Sequence, residues 1–138
     1  MLKIRDVEIV LQKAHEAFPD ARPRIISDRG SQFIAREFKE YIMEVGFKHT
    51  LISVGYPQAN GKMERFFRTT KEECIIRNIF LTQEEAREVI GKYIEYYNNM
   101  RLHSGIGYIT PKDMLEGRRD DIWKERDMKL DKGRKKRI

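Results

Sequence analysis

SDRGSQF, residues Ser27 to Phe33, places an aspartate directly after the apolar pair Ile25-Ile26. The preceding segment, Pro23 to Ser27, is short, apolar and bounded by turn-forming residues, which is typical of a buried strand. In an open α/β sheet, ligands bind beyond the carboxyl ends of the strands, so Asp28 stands where a site would form. A purely structural alternative is that the Asp28 side chain caps the turn or helix that follows.

Helices and strands alternate around this stretch. The spacing of apolar residues predicts helices over residues 6–18, 31–45, 60–77 and 82–99, and a second strand over residues 47–53. The capping box Thr82-Gln83-Glu84-Glu85 marks the start of the last of these helices, and Pro111 favours the start of a shorter one. This order indicates an α/β fold that is rich in helix.

Length and composition limit the class of protein. The chain has 138 residues, of which 36% are charged, with a net charge of +6, so a polyanionic partner is a reasonable expectation. No apolar run is long enough for a membrane span and the first residues do not resemble a signal peptide, so we expect a cytoplasmic protein with no membrane partner. Its single cysteine, Cys74, excludes an internal disulfide and a cysteine-cluster zinc site.

The length predicts about one domain, residues 1–117, followed by a charged, flexible, basic tail, residues 118–138. The tail ends in KGRKKRI, where five basic side chains cluster. Such a cluster is either a solvated, mobile terminus or a nucleic-acid contact.

A second acid lies on the helix that follows the loop GYPQANGK, residues 55–62. On a helical wheel, Glu64 lies about 100° from the apolar stripe, with Asn60, Arg68 and Lys71 at nearby angles. An ordinary ion pair between Glu64 and Arg68, four residues apart, would explain this polar face equally well. Periodicity therefore does not decide between an exposed helix face and a site.

Three ordered motifs together resemble the catalytic core of DDE-type integrases and transposases of retroviruses and bacterial insertion sequences. They are SDRGSQF, then GYPQANGKMERFFRTTKEE with 35 residues between Asp28 and Glu64, and YNNMRLHSGIGYITPKDML from Tyr97 to Leu115. The resemblance runs from about Arg24 to Leu115. It implies a ribonuclease-H-like fold and DNA integration or transposition by two-metal strand cleavage and strand transfer.

The resemblance also implies roles for individual residues. Asp28 matches the second catalytic aspartate of the family and Glu64 its catalytic glutamate, and both would bind Mg²⁺ or Mn²⁺. Lys71 resembles the basic residue that holds the DNA end near the metals, while Asn60 and Arg68 would contact DNA phosphate. Residues 55–61 look like the mobile loop beside the site. Arg101 and His103 match common family positions, and we assign His103 a structural hydrogen bond.

One departure from the family concerns its first aspartate, which lies on the opening strand of a three-stranded meander. The 27 residues before Asp28 read as one helix and one strand, and their acids, Asp6, Glu8, Glu16 and Asp20, match no family position. We therefore expect an incomplete domain, the carboxyl-terminal part of a catalytic core. Val7, Val10, Leu11 and Phe18, which would pack on the meander, are expected to be exposed and covered in a homo-oligomer or by a full-length transposase subunit.

Three functional hypotheses follow. The first is a DDE catalytic region whose activity requires the missing part from elsewhere. The second is a catalytically silent module that binds DNA or a partner subunit. The third is a remnant that does not fold independently or is domain-swapped, and has no present function.

Overall fold

The computed structural model describes residues 3–53 and 60–138, and the chain divides into two compact units, residues 1–67 and 68–138. The first unit begins with α1, Ile4–Ala17, followed by β1, Arg24–Ser27. Two helices, α2, Ser31–Ile34, and α3, Arg36–Glu44, then lead to β2, Lys48–Leu51. β1 and β2 pair in parallel, with Ile25 opposite His49 and Ser27 opposite Leu51.

The core of the first unit lies on α3 and in the turn that follows it. Phe38, Ile42 and Phe47 are buried, and apolar side chains from α1, β1, α2 and α3 pack around them. Two of these are Val7 and Leu11 of α1, so the prediction that they would be exposed is wrong: α3 supplies a partner for that face. Val10 and Phe18 do remain more than half exposed.

The predicted helix over residues 31–45 is two helices, because Ala35 adopts an extended conformation with ψ of 145°. The helix ends within one residue of the predicted position 45, and the residue that follows, Gly46, has φ of +75°. The amide of Phe47 donates to the Ile42 carbonyl and that of Gly46 to the Met43 carbonyl, which is the Schellman arrangement at a helix end. This turn directs the chain into β2 beside β1.

The helix that carries Glu64, α4, spans Gly61–Thr70 and continues as a π-helical segment, Lys71–Ile75. Its predicted apolar stripe is only partly buried. Thr70 and Cys74 are buried, whereas Met63 and Phe67 are exposed. The glycine-containing loop predicted at residues 55–61 lies mostly outside the described residues.

The second unit contains α5, Gln83–Asn99, a short 3₁₀ turn at Ser104–Ile106, and α6, Pro111–Leu115. The predicted cap of α5 is present, because Thr82 Oγ1 accepts a hydrogen bond from the Glu85 amide. Pro111 occupies the first turn of α6 as expected, and Thr110 caps that helix.

Residues 118–138, predicted as a flexible tail, include a helix, α7, from Arg119 to Lys135. Trp123 Nε1 donates to the Gly107 carbonyl and Arg126 Nη2 to the Tyr108 carbonyl, so the amino-terminal half of α7 is attached to this turn. The predicted domain boundary after residue 117 lies inside the second unit and stays a prediction. Within residues 3–53 and 60–138, no helix is long and apolar enough to cross a bilayer.

Candidate active site

Asp28 lies directly after β1, at its carboxyl end, and its side chain is exposed. Its Oδ1 accepts a hydrogen bond of 2.9 Å from the amide of Gly30, so the carboxylate closes a tight turn on its own backbone. This is the capping role that the sequence left open. It uses one carboxylate oxygen only, and Oδ2 has no partner among the described residues.

The backbone at Asp28 is held from the other side by Ser27. The Ser27 hydroxyl donates to the Asp28 carbonyl at 2.9 Å and lies 2.8 Å from Nε2 of His49 on β2. Burial lowers the pKa of His49, and the charge of Lys39 adds to this effect. The sequence patterns gave no signal for His49, because it reaches Ser27 only through the pairing of the two strands.

Glu64 lies in the first turn of α4, is exposed, and belongs to the same unit as Asp28. It has no hydrogen-bond or ion-pair partner among the described residues. The ion pair with Arg68 that periodicity allowed is therefore not formed. The carboxylate is left unneutralised near the positive end of a helix, where negative charge is stabilised.

The three candidate DNA contacts follow the same helix. Asn60 immediately precedes α4 and is half-buried, whereas Arg68 lies in its last turn and is exposed. Lys71 is exposed at the start of the π-helical segment, seven residues after Glu64. Exposed side chains of this kind are able to reach phosphate oxygens.

The donors suit a hard divalent cation, since such cations prefer carboxylate oxygen and both Asp28 and Glu64 keep oxygens free of described protein partners. A complete site is not assembled, however. In the described part of the chain, no three His, Cys, Asp or Glu side chains come close enough together to hold a metal ion. The upstream acids predicted to match no site position lie on α1 or in the turn after it, as expected.

A further polar cluster in the second unit joins Glu73, Tyr93 and Arg101. Arg101 donates three hydrogen bonds to the Glu73 carboxylate, the shortest of 2.7 Å from Nη2, and the Tyr93 hydroxyl donates a fourth of 2.9 Å. The hydrogen bonds from Arg101 lower the pKa of Glu73. Burial, followed by the hydrogen bond to Glu73, raises the pKa of Tyr93 to about 12.

His103 lies beside this cluster. Arg101 Nη1 is 3.3 Å from His103 Nδ1, and the ring packs edge-on against Tyr97 with 4.5 Å between centroids. Burial and then the charge of Arg101 lower the pKa of His103. Because arginine can only donate, Nδ1 is the acceptor, which supports a structural hydrogen bond. Sequence reasoning singled out Arg101 and His103 but missed Glu73, whose partner is 28 residues away.

Comparison with known proteins places these residues in context. Residues 45–111 match the family described as "Integrase core domain". The transposase for insertion sequence element IS904 of Lactococcus lactis is 38% identical over 104 residues, 75% of this chain and 41% of the relative. The putative transposase InsK for IS150 of Escherichia coli K12 is 32% identical, over 76% of this chain and 38% of the relative. The chain thus spans about two fifths of the length of these relatives.

Two solved structures share the fold. The catalytic core domain of BIV integrase superposes with a TM-score of 0.64 at 21% identity, covering 87% of this chain and 76% of that one. A chain of the simian T-cell lymphotropic virus intasome in complex with PP2A regulatory subunit B56 gamma gives 0.65 at 16% identity, covering 82% of this chain and 40% of that one. The predicted helix-rich α/β fold of an integrase catalytic core is therefore confirmed.

Proposed function

The chain carries a domain of the DDE integrase/transposase type, and on that premise we propose that it is a catalytic region for DNA integration or transposition, with Asp28 and Glu64 as carboxylate ligands of Mg²⁺ or Mn²⁺. The observation that carries the proposal is that both acids are exposed in one unit, Asp28 after β1 and Glu64 in the first turn of α4, and that no side chain in residues 3–53 or 60–138 forms an ion pair with either.

Each side chain has a specific task in this proposal. Asp28 presents Oδ2 while Gly30 orients the rest of its carboxylate, and Glu64 presents its carboxylate from the helix. When bound, divalent cations stabilise the attacking and leaving oxygens of an in-line phosphoryl transfer. Asn60, Arg68 and Lys71 hold DNA phosphate, which positions the duplex without reading its sequence.

A further part of the proposal concerns the carboxylate that is needed to complete the metal site. Because no three ligands meet in the described residues, we propose that a third carboxylate comes from a segment outside these 138 residues, in the place of the family's first aspartate. That segment would belong to the opening meander of a ribonuclease-H-like sheet. The same requirement favours a homo-oligomer or a complex with a full-length transposase subunit.

The test is nicking and joining of a labelled DNA duplex with Mn²⁺, comparing the unmodified chain with Glu64→Gln at equal DNA occupancy, with and without the missing segment supplied in trans. We expect activity only when a third carboxylate is present, and its loss in Glu64→Gln with DNA binding retained. Equal activity in both proteins would exclude Glu64 as a ligand.

The lack of a three-ligand cluster in the described residues also favours a second candidate function, a DNA-binding module without catalysis. Such binding would persist without metal and weaken steeply as salt rises, because phosphate contacts release counterions. Failure to restore nicking in trans, together with salt-sensitive binding, would support this second function.

A further inference from the structure

We propose that Ser27 and His49 are positioning residues for Asp28, and that their two hydrogen bonds hold the carboxyl end of β1 in the geometry that a divalent cation needs there. The inference rests on the proposed function, because Asp28 is itself a proposed ligand. It extends the site to a residue of β2 that is proposed neither as a metal ligand nor as a DNA contact.

The direction of the two hydrogen bonds follows from their partners. The Asp28 carbonyl can only accept, so the single hydroxyl proton of Ser27 is donated to it at 2.9 Å. Toward His49, 2.8 Å away, the Ser27 Oγ must then accept, and Nε2 of His49 must carry a proton. His49, Ser27 and the Asp28 carbonyl are therefore linked by two hydrogen bonds in series, each with one donor and one acceptor.

Packing holds both side chains of this hydrogen-bonded series, Ser27 and His49, in place. Ser27 is only 6% exposed, and the His49 ring packs edge-on against Phe38, which is 0% exposed, with centroids 5.1 Å apart. Beyond them, the amide of Ile52 donates to the Ser27 carbonyl at 2.8 Å and extends the pairing of β1 and β2. A rotation of Ser27 or His49 would therefore disturb packed neighbours.

Asp28 is fixed on two sides as a result. Ser27 holds its carbonyl and Gly30 holds its Oδ1, which leaves Oδ2 as the oxygen free to bind a cation. Outer hydrogen bonds of this kind orient ligands, and their loss commonly costs 10–100-fold in metal affinity. A purely structural role in joining two strands would stabilise the fold without changing the affinity for a metal.

The experiment measures Mn²⁺ binding at Asp28 by the broadening that this paramagnetic ion causes in the Gly30 amide resonance. Ser27→Ala removes both hydrogen bonds of the Ser27 hydroxyl and His49→Leu removes one of them, whereas Ser27→Thr and His49→Gln keep a hydroxyl and a side-chain N–H. Thr50→Ala is the matched control, since it removes an exposed hydroxyl from β2 that has no partner among the described residues. Asp28→Asn removes the proposed metal ligand, so the broadening that is lost in this variant is the part caused by Mn²⁺ bound at Asp28.

We expect about tenfold more Mn²⁺ for half-maximal broadening in Ser27→Ala and His49→Leu, and no more than about threefold in the two conservative variants and in Thr50→Ala. Without metal, the Gly30 amide should exchange with solvent faster in Ser27→Ala, because the Asp28 turn loosens. If His49→Leu does not fold, the comparison of Ser27→Ala with Ser27→Thr tests the positioning role without it.

Failure of the two proposals is distinguishable. Unchanged Mn²⁺ binding in Ser27→Ala, with loss in Asp28→Asn, would overturn the positioning role and leave the proposed function intact, even if Gly30 exchange changes. Broadening that Asp28→Asn does not diminish would overturn Asp28 as a ligand, and the positioning role with it.

Discussion

At the scale of single residues, Arg101 and Glu73 show how much depends on one charged pair. Their side chains are only 27% and 33% exposed, so removing one partner leaves the other partly desolvated. Arg101→Met should lower the free energy of unfolding by about 1.5–3 kcal/mol, the usual range for hydrogen bonds to charged groups. Urea unfolding followed by circular dichroism measures this.

Lys92→Met is the control, because the Lys92–Glu88 pair is 76% and 66% exposed and such solvent-screened surface pairs add little to stability. Equal losses in the two variants would mean that the Arg101 pair is no stronger than an exposed one.

Tyr93 gives a prediction in alkaline solution. Burial and the hydrogen bond to Glu73 raise the pKa of Tyr93 to about 12, whereas that of a tyrosine in an unfolded chain is about 10. The neutral phenol therefore adds stability that is complete below about pH 10 and lost as the pH rises toward 12. Ultraviolet titration of tyrosinate should show a group that titrates near pH 12 and disappears in Tyr93→Phe.

Tyr108→Phe should leave that late phase in place, because Tyr108 is 62% exposed and lies outside the Glu73 cluster. A late phase that survives in Tyr93→Phe would assign the raised pKa to another tyrosine.

At the scale of elements, α7 depends on one glycine. Gly107 has φ of +83°, and a Cβ there would collide with the Trp123 ring, whose Nε1 donates to the Gly107 carbonyl. Gly107→Ala should therefore cost at least about 2 kcal/mol, since strain in this backbone region alone costs 1–3 kcal/mol. Thermal unfolding monitored by the fluorescence of Trp123 measures the loss.

Gly133→Ala provides the matched substitution on α7 itself. Nothing lies within 4 Å of a Cβ at Gly133, so alanine should stabilise the helix by about 0.5–1 kcal/mol. If Gly107→Ala were as mild as Gly133→Ala, α7 would not be attached through Trp123.

At the scale of the whole molecule, the chain exposes apolar side chains that a monomer does not cover. Val10 is 64% exposed and Phe18 53% exposed on or next to α1. Patches of this kind usually find a partner, so we expect association that increases with protein concentration in sedimentation velocity. Val10→Lys should weaken that association.

Met43→Lys is the control for adding charge to another exposed apolar position, since Met43 is 79% exposed on α3. A monomer at every concentration would contradict the prediction. If Val10→Lys and Met43→Lys weakened association equally, the surface through which two copies associate would not be the one around Val10.

Much of the fold was predictable because its signals are local. Apolar spacing, Thr82 and Gly46 mark helix faces and ends through interactions within one or two turns, and Ile25-Ile26 followed by Asp28 marks the end of β1. The single helix expected over residues 31–45 failed at Ala35, where the chain turns so that α3 packs on α1. Residues 118–138 include a helix and not only a flexible tail, because Trp123 and Arg126 donate hydrogen bonds to backbone carbonyls 16 and 18 residues earlier in the chain.

The sequence by itself determined the order of the elements as far as α6, apart from the break at Ala35, and placed Asp28 and Glu64 at element ends, since these follow from neighbouring residues. The tertiary structure alone decided the pairing of Glu73 with Arg101, 28 residues apart, and of Ser27 with His49, 22 residues apart. It also left Glu64 without the Arg68 ion pair that periodicity allowed. The physical reason is that hydrogen bonds require distances near 3 Å, which only the packing of distant elements sets.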